Sequence, residues 1–397
     1  MSKAAFGKGN LLLPGNVDMT KWAVIACDQY TSDKNYWETV NNFVSQDPSA
    51  LKLILPEVYL EKDNSPRVAA INKTMESYLA LDLLKEYKDC YIYIERTLAS
   101  GVVRPGIVGV VDMEQYSYIE GVKCDIKPTE KTVEERIPPR KAVRSGAKLE
   151  LAHVILFCND KNNSLVGYLA SQKQNMQKLY DFDLMMKGGH ICGWLVRGEI
   201  AQEFDKNYEA YCQLMEEENT PQLIVGDGNH SLATAKSVYE DDKSNQRARY
   251  AMVELQNIYD ESIAFEPIHR VLFDLDINDF LAYVQEKTSG SESVAWVTAN
   301  DKGTLNFSAL EGQIPIEVLQ PIIDEYLATH PGSIDYVHDG VEKIVAENKN
   351  SLGLLLPSIK KSEIFERIAT KGVYPRKTFS VGEANDKRFY LEARVIK

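Results

Sequence analysis

A short stretch of the chain, Gly226 to Ser231, gathers side chains that can do chemistry. Asp227 offers a carboxylate, His230 an imidazole and Ser231 a hydroxyl group, within one Gly-Asp-Gly-Asn-His-Ser sequence. A carboxylate and an imidazole this close together can move a proton or bind a metal ion. The same residues also suit a plain turn, in which Asp227 and Asn229 are turn residues, Ser231 caps a helix and His230 is packed or exposed. Spacing alone leaves both interpretations open.

The elements that position this stretch are a strand, a tight turn and a helix. Leu223 to Val225 is a short apolar run typical of a buried strand, and apolar residues recur at helical spacing from Leu232 to Tyr239. Gly226 and Gly228 permit backbone angles that other residues avoid and let a ligand approach the main chain. Free amide groups at the start of the helix attract anions. A carboxylate repels an anion, so Asp227 must bind a metal, take a proton or stay at a distance from the anion.

The stretch resembles the Asp-Gly-His-His-Arg signature of the family named domain of unknown function 1015 (DUF1015). The segments Thr129 to Arg136 and Pro267 to Arg270 resemble the same family, so the resemblance covers most of the chain. The signature in turn looks like the phosphate-binding box of the ParB/sulfiredoxin superfamily, which includes free-serine kinases. The resemblance therefore implies a phosphate site at the turn. In this chain Asn229 replaces the first signature His, and Ser231 replaces the Arg.

Another cation must then neutralise phosphate at the turn. Because the resemblance places the segment that follows Thr129 against the site, we expect Arg136 to supply this charge, with Arg140 and Arg144 as substitutes. Glu130, in the same segment, is a candidate catalytic acid. Thr132 and the acid three residues after it have capping-box spacing, which would explain both without any function.

Polar residues next to other strands are further candidates. Asp28 and Gln29 follow the apolar run Trp22 to Cys27, at the carboxyl end of a predicted strand, where open α/β sheets bind ligands. The same polar turn could simply cap the next helix through Ser32 or Asp33. Arg104, which precedes another strand, could clamp a carboxylate or a phosphate, or remain solvated.

The remaining charged candidates are histidines and their neighbours. His269 and Arg270 lie between apolar runs, where a buried charge without a partner costs on the order of several kcal/mol, so we expect an acid or a bound anion beside them. His190 follows two glycines at the end of a helix predicted from about Gln172, and it could approach a ligand or lie exposed. His153, inside a predicted strand, is interpreted as structural.

The composition limits the class of function. The net charge is −13, from 45 basic and 58 acidic residues, which disfavours nucleic-acid binding. The six scattered cysteines form no Cys-x-x-Cys pair, which favours reduced thiols over disulfides or a zinc knuckle. No apolar run approaches membrane-spanning length, and no signal-peptide pattern is present. We expect a cytoplasmic protein that binds a small molecule and no membrane.

The alternation of strands and helices predicts an α/β fold, with mixed sheets flanked by helices, in two lobes. We place the lobes at residues 1–160 and 161–397, with the turn in the second lobe and one site shared by both. The resemblance implies a ParB/sulfiredoxin-like core around the turn. Long helices are predicted at Arg67 to Glu86 and Glu203 to Glu218.

The resemblance implies phosphoryl transfer involving a small hydroxylated metabolite such as serine or phosphoserine, with Mg²⁺ and a nucleotide as cofactors. Asp227 would bind Mg²⁺ or orient the hydroxyl group, and His230 would donate to phosphate or move a proton. The groups expected to hold or neutralise phosphate are Gly226, Gly228, Asn229, Ser231, Arg136 and Arg270. A non-catalytic nucleotide- or metabolite-binding regulatory protein is the alternative, and a ParB-like nucleic-acid binder is the third hypothesis.

Overall fold

Two compact units make up the protein. The structure, a computed structural model, describes residues 3–60 and 63–397. Unit 1 comprises the described residues up to Ile263 together with Gly382–Lys397, and unit 2 comprises Ala264–Val381. The strands on both sides of residue 160 belong to one sheet of unit 1, so the boundary expected at residue 160 coincides with neither unit boundary.

The strands of the described chain are, in order, β1 Phe6–Gly7, β2 Gly9–Pro14, β3 Val24–Ile25, β4 Leu84–Thr97, β5 Val103–Asp112, β6 Ile126–Pro128, β7 Leu149–Leu151, β8 Ile155–Cys158, β9 Gln177–Asp183, β10 His190–Val196, β11 Leu223–Asp227, β12 Tyr250–Asn257, β13 Phe265–Pro267, β14 His269–Phe273, β15 Glu292–Val297, β16 Lys302–Phe307, β17 Ser333–Val337, β18 Leu352–Leu355, β19 Phe379–Val381, β20 Phe389–Tyr390 and β21 Ala393–Val395.

The helices are α1 Met19–Trp22, α2 Lys34–Val44, α3 Ser65–Ala80, α4 Ile137–Ser145, α5 Val166–Ser171, α6 Gly198–Glu217, α7 Asn229–Asp241, α8 Ile277–Lys287, α9 Pro315–Thr329, α10 Val341–Glu347 and α11 Lys361–Thr370. Short 3₁₀ turns include Glu57–Tyr59, Glu134–Arg136 and Ala384–Asp386. Within the described residues, no helix is long and apolar enough to cross a membrane.

A large mixed sheet organises unit 1. Its order is β6-β11-β8-β12-β5-β4-β2-β21-β7, with β1 beside β5, β10 beside β4 and β9 beside β10. β11 is parallel to β6 and antiparallel to β8, and β8 is parallel to β12. This mixed sheet, together with its helices, confirms the predicted combination of mixed sheets and helices.

The site-bearing strand β11 is fixed by an apolar core. Helix α6 buries Phe204, Tyr208 and Met215 along one side, because these residues recur at helical spacing. They share a core with Leu223 and Val225 of β11. Each such buried side chain contributes roughly 1.5–3 kcal/mol to the free energy of unfolding. The carboxyl end of β11 is therefore held rigidly.

Unit 2 has its own antiparallel sheet, in the order β16-β15-β18-β14-β17. Phe280 of α8 and Leu319 and Ile323 of α9 pack in its core with Leu272 and Leu354 of the sheet. Strands β13 and β19 form a separate two-stranded ladder.

The prediction of a helix from about Gln172 is wrong. Residues from Gln177 form the strand β9, which pairs with β10 in an antiparallel hairpin. Long-range pairing decides this segment, because β10 is in turn bonded to the long strand β4. Helix α3 also ends at Ala80, six residues earlier than predicted, since Leu84 already belongs to β4.

Candidate functional site

The predicted strand, turn and helix are present at Gly228. Strand β11 ends at Asp227, Gly228 has a left-handed conformation with φ of 80°, and α7 begins at Asn229 without a side-chain cap. A Cβ atom at Gly228 would lie 3.0 Å from Val154 Cα and 3.4 Å from the His153 ring. Gly228 is therefore required both by backbone angle and by close packing against the chain that leads into β8.

The other glycine of the turn serves packing inside the protein. A Cβ atom at Gly226 would lie 2.3 Å from the ring of Phe157 on the neighbouring strand β8. The space beside Gly226 is filled by this aromatic side chain. The two glycines expected to admit a ligand thus have different surroundings.

Asp227 has two different oxygen environments. Its Oδ1 accepts a hydrogen bond of 2.9 Å from the amide of Gly228. Its Oδ2 is buried, accepts no hydrogen bond from the described residues, and lies 3.6 Å from Lys387 Nζ. The side chains of Asp227 and Lys387 are 20% and 14% exposed, so this ion pair is only partly screened by water. Lys387, which the sequence analysis missed, provides a cation beside the turn.

Two buried arginines hold the segment that carries Lys387. Arg96 donates to the carbonyl groups of Asn385, at 2.6 Å, and Asp386, at 2.9 Å, and also to that of Lys387. Arg104, which we expected to clamp an anion, donates to the carbonyl of Asp386 at 3.0 Å. Burial, together with the neighbouring charge of Arg104, lowers the pKa of Arg96 to about 10. The side chains of Arg96 and Arg104 therefore bind backbone carbonyl groups of the segment that carries Lys387.

Asp28 and His153 form a second acidic and basic pair in unit 1. The two side chains approach to 3.9 Å between Asp28 Oδ2 and His153 Nε2, and Gln29 donates to Asp28 Oδ1 at 3.1 Å. Burial raises the pKa of Asp28, but the charges of His153 and Lys387 and the bond from Gln29 outweigh it, so the net pKa is lowered. Asp28 is therefore an ionised carboxylate at neutral pH. The positive charge of Lys387 stabilises it, as it does Asp227.

His153 is held from its other side by an aromatic hydroxyl group. Its Nδ1 lies 2.6 Å from the hydroxyl of Tyr390, which is also 3.0 Å from Cys27 Sγ. Burial raises the pKa of Cys27 to about 12, so this thiol stays protonated at neutral pH. The only sequence signal for His153 was a polar residue inside an apolar run.

The segment Thr129 to Arg136 lies directly against the turn, as expected from the resemblance. The hydroxyl of Thr129 donates to the carbonyl of Val225 at 2.8 Å. The amide of Val133 donates to Nε2 of His230 at 3.3 Å, so this nitrogen serves as an acceptor. Strand β6, which precedes the segment, pairs with β11 in parallel.

Three buried oxygen atoms at the turn have no hydrogen-bond partner among the described residues: Asp227 Oδ2, Asn229 Oδ1 and Thr132 Oγ1. The predicted capping box at Thr132 is wrong, because the 3₁₀ turn that follows has Val133 at its N-cap and no side-chain cap. Unsatisfied buried oxygens each cost about 1–3 kcal/mol, which points to a donor or a cation for them.

The basic residues after the segment have acidic partners. Arg140 pairs with Glu57, and Arg144 pairs with Glu150 at 2.5 Å. Arg136 is exposed, and its charge acts on Glu57. Burial, together with the charge of Asp28, raises the pKa of Glu57 by more than Arg140 and Arg136 lower it. Glu130 and Ser231, the remaining expected site residues of unit 1, are both half-buried.

His269 and Arg270 belong to unit 2. Arg270 is fully buried and donates to Gln320 Oε1 at 2.8 Å and to the carbonyls of Ile268 at 2.6 Å and Lys377 at 2.8 Å. Nδ1 of His269 accepts from an amide at 3.0 Å, and burial lowers the pKa of this imidazole. The pair is thus built into the β14 region of unit 2.

The fold and the turn define a mixed α/β protein with a charged cluster at the start of a helix. The chain belongs to the DUF1015 family, described as a protein of unknown function, whose model matches residues 15–370. The search of curated proteins found no match.

Several solved structures have limited similarity to this chain. A free serine kinase in complex with AMP has 11% identity and a TM-score of 0.40, covering 71% of this chain and 90% of its own. A conserved hypothetical protein from Pyrococcus furiosus has 10% identity and a TM-score of 0.37, with coverage of 70% and 92%. SbnI with a C-terminal truncation, from Staphylococcus aureus, has 9% identity and a TM-score of 0.37, with coverage of 69% and 82%.

Proposed function

We propose that the protein transfers a phosphoryl group to or from a small hydroxylated metabolite of the serine or phosphoserine type, with Mg²⁺ and a nucleotide as cofactors. The observation that carries the proposal is the buried Oδ2 of Asp227 at the start of α7, with Lys387 Nζ 3.6 Å away. A carboxylate, a lysine and the amides of a helix start are the groups that position and neutralise a phosphoryl group.

Positive groups from three parts of the chain would receive the phosphoryl group. The amides at the start of α7 carry partial positive charge, and no side chain caps them. Lys387 adds a full charge, and Arg136 supplies a second one from the segment beside the turn. In this arrangement Arg104 positions Lys387 by holding the backbone of Asp386, which differs from the direct anion clamp expected for it.

The acidic side chains would accept the proton of the substrate hydroxyl group. Asp28 is ionised, because its pKa is lowered, and it can accept the proton of the hydroxyl group as the oxygen attacks phosphorus. A new P–O bond then forms to the metabolite while the P–O bond to the nucleotide breaks and its electron pair leaves with the nucleotide. Glu130 and His230 are the other candidates for moving this proton, and Gln29 orients Asp28.

The residues at the turn fit Mg²⁺. Asp227 Oδ2, Asn229 Oδ1 and Thr132 Oγ1 are buried oxygens without hydrogen-bond partners among the described residues, and Mg²⁺ prefers oxygen ligands. Mg²⁺ bound there would neutralise negative charge on the phosphates.

A second candidate, a non-catalytic metabolite-binding protein, is favoured by a cavity in unit 2. This cavity has a volume of about 610 Å³ and is open to solvent. Its walls include Glu363, Arg367, Lys371 and Tyr374, so a small molecule with charged and apolar parts would suit it. A ParB-like nucleic-acid binder remains the third hypothesis, against which the net charge of −13 argues.

A direct assay separates these functions. The purified chain is incubated with ATP or ADP, Mg²⁺ and a panel of hydroxylated acceptors that includes serine, and phosphorylated product is followed by ³¹P NMR. Phosphate release from phosphoserine is measured in parallel. We expect turnover that Asp227→Asn reduces about 100-fold, as for the loss of one charge-stabilising group.

The matched control is Asp241→Asn, an exposed acid at the other end of the same helix, which should retain full activity. Tight calorimetric binding of nucleotide or serine without turnover would favour the metabolite-binding protein. A folded preparation that shows no binding and no turnover would contradict the proposal.

A further inference from the structure

We propose that the β9–β10 hairpin binds one transition-metal ion, Zn²⁺ by preference, through Asp181, His190 and Cys192. These residues lie outside the turn described above, and the phosphoryl-transfer proposal does not use them. The strand register places Asp181 directly opposite Cys192 and Asp183 directly opposite His190. Because directly opposed residues and residues two apart share one face of a sheet, all four side chains lie on the same face.

The three ligand atoms are already close together. His190 Nε2 lies 2.8 Å from Asp181 Oδ1 and 3.5 Å from Cys192 Sγ, and one ligand atom from each residue lies within 4.8 Å of the others. Over residues 3–60 and 63–397, this is the one such group of three or more His, Cys, Asp or Glu side chains. Two ligands on tetrahedral zinc are separated by roughly 3.3 Å, so Asp181 and His190 must move apart by a few tenths of an ångström.

Asp183 orients the imidazole toward the other two ligands. Its Oδ1 lies 2.7 Å from Nδ1 of His190, so the Nδ1–H group can donate to this carboxylate. Nε2 faces Asp181 and Cys192, and it becomes a metal ligand once a bound metal ion displaces its proton. Metal-binding histidines commonly have such a carboxylate on the second ring nitrogen, because it fixes the tautomer and the ring plane.

The ligand types select the metal. Sulfur, nitrogen and one carboxylate oxygen are ligands for Zn²⁺, whereas Mg²⁺ and Ca²⁺ prefer oxygen alone. His190 and Asp181 are 37% and 42% exposed, so water has access to a fourth coordination position. Lys178 binds the other oxygen of Asp181 at 2.5 Å and leaves Oδ1 for the metal.

Protons compete with the metal at this site. Zn²⁺ binds the thiolate form of cysteine and an imidazole nitrogen that carries no proton. Zinc binding must therefore displace the thiol proton and exclude the second imidazole proton. Affinity should increase with pH across the neutral range.

The site can be tested with Co²⁺ as a spectroscopic probe for Zn²⁺. The full-length chain, reduced, freed of any affinity tag and treated with a chelator, is titrated with Co²⁺. We expect saturation at one equivalent, visible bands of tetrahedral cobalt, and a near-ultraviolet charge-transfer band from one thiolate. One equivalent of Zn²⁺ should then remove all of these bands.

Variants assign the ligands. Cys192→Ser should abolish the charge-transfer band and weaken binding about 100-fold, and His190→Gln should weaken it similarly. Asp183→Asn should weaken binding about 10-fold while keeping the band, because it only orients the ligand. Cys124→Ser is the matched control, since this half-buried thiol is bonded to backbone carbonyls elsewhere.

Two outcomes would overturn the proposal. One is cobalt binding without the charge-transfer band, and the other is an affinity that Cys192→Ser leaves unchanged. Near-ultraviolet circular dichroism of each metal-free variant shows whether the chain is folded. If Cys192→Ser fails to fold, the band and affinity of His190→Gln and Asp183→Asn decide the question.

Discussion

Nζ of Lys387 lies 3.6 Å from the buried Oδ2 of Asp227, so the carboxyl-terminal segment of the chain supplies the cation at the Gly228 turn. Under the proposed function, this lysine would carry positive charge to the phosphate site, where Ser231 stands in place of an expected arginine. The geometry of the contact depends on Arg96, which holds the backbone of the segment that carries the lysine.

Removing the lysine should reduce phosphoryl transfer. With Lys387→Met we expect turnover to fall about 100-fold, because the full positive charge nearest to Asp227 is then lost. Lys387→Arg should restore part of the rate, since it keeps the charge. Steady-state kinetics with nucleotide and metabolite measure both variants, and an undiminished rate in a folded Lys387→Met protein would rule out this role.

Arg96 should act through position rather than by contact with substrate. Arg96→Met removes the hydrogen bonds from Arg96 to the carbonyl groups of Gly188, Asn385 and Lys387, at roughly 1–3 kcal/mol for each group that is left unsatisfied. We expect faster hydrogen exchange in residues 382–390 and a lower rate of transfer. Mass spectrometry of peptides from this region measures the exchange.

Arg249→Met is the control for this variant, because Arg249 forms its ion pair with Asp112 in another part of unit 1. Its exchange in residues 382–390 should match that of the parent protein. Equal protection of this region in Arg96→Met would show that Arg96 does not hold the segment.

The left-handed glycine of the turn should tolerate no side chain. Gly228→Ala incurs about 1–2 kcal/mol from its φ of 80°, with an additional cost from the contact of 3.0 Å with Val154. Gly101→Ala is the control, because Gly101 has a φ of 85° and open space around it. Urea denaturation should show the larger loss for Gly228→Ala, and equal losses would mean that the contact relaxes freely.

Acid should remove the stabilisation that Asp112 provides. Burial raises its pKa, but hydrogen bonds from Arg249 and Lys3 outweigh this and hold the pKa of Asp112 at about 2. Because the folded-state pKa is lowered, the stabilisation is present above the unfolded value of roughly 4 and is lost as pH falls toward 2.

The corresponding variant gives the measurement. Asp112→Asn should lower the free energy of unfolding at pH 7 by about 2 kcal/mol. The difference from the parent protein should shrink between pH 4 and pH 2 in urea titrations. A difference that stays constant over this range would mean that the ion pairs of Asp112 contribute little.

The sequence predicted the turn well and the surrounding site only in part. Apolar runs and two glycines were enough to locate β11, Gly228 and α7, because such patterns depend on neighbours within a few residues. The helix expected from about Gln172 is a strand, because pairing with β10 outweighs local pattern. His153 was interpreted as structural, since its approach to Asp28 joins distant parts of the chain.

The sequence by itself determined the DUF1015 membership, the mixture of helices and strands, and the bend at Gly228. Only the tertiary structure decided that Lys387 is the cation beside Asp227, that Arg104 binds backbone carbonyls, and that Asp181, His190 and Cys192 face one another. The physical reason is that backbone angles and apolar periodicity are local properties. Contacts between side chains on separate strands depend instead on the register and order of the whole sheet.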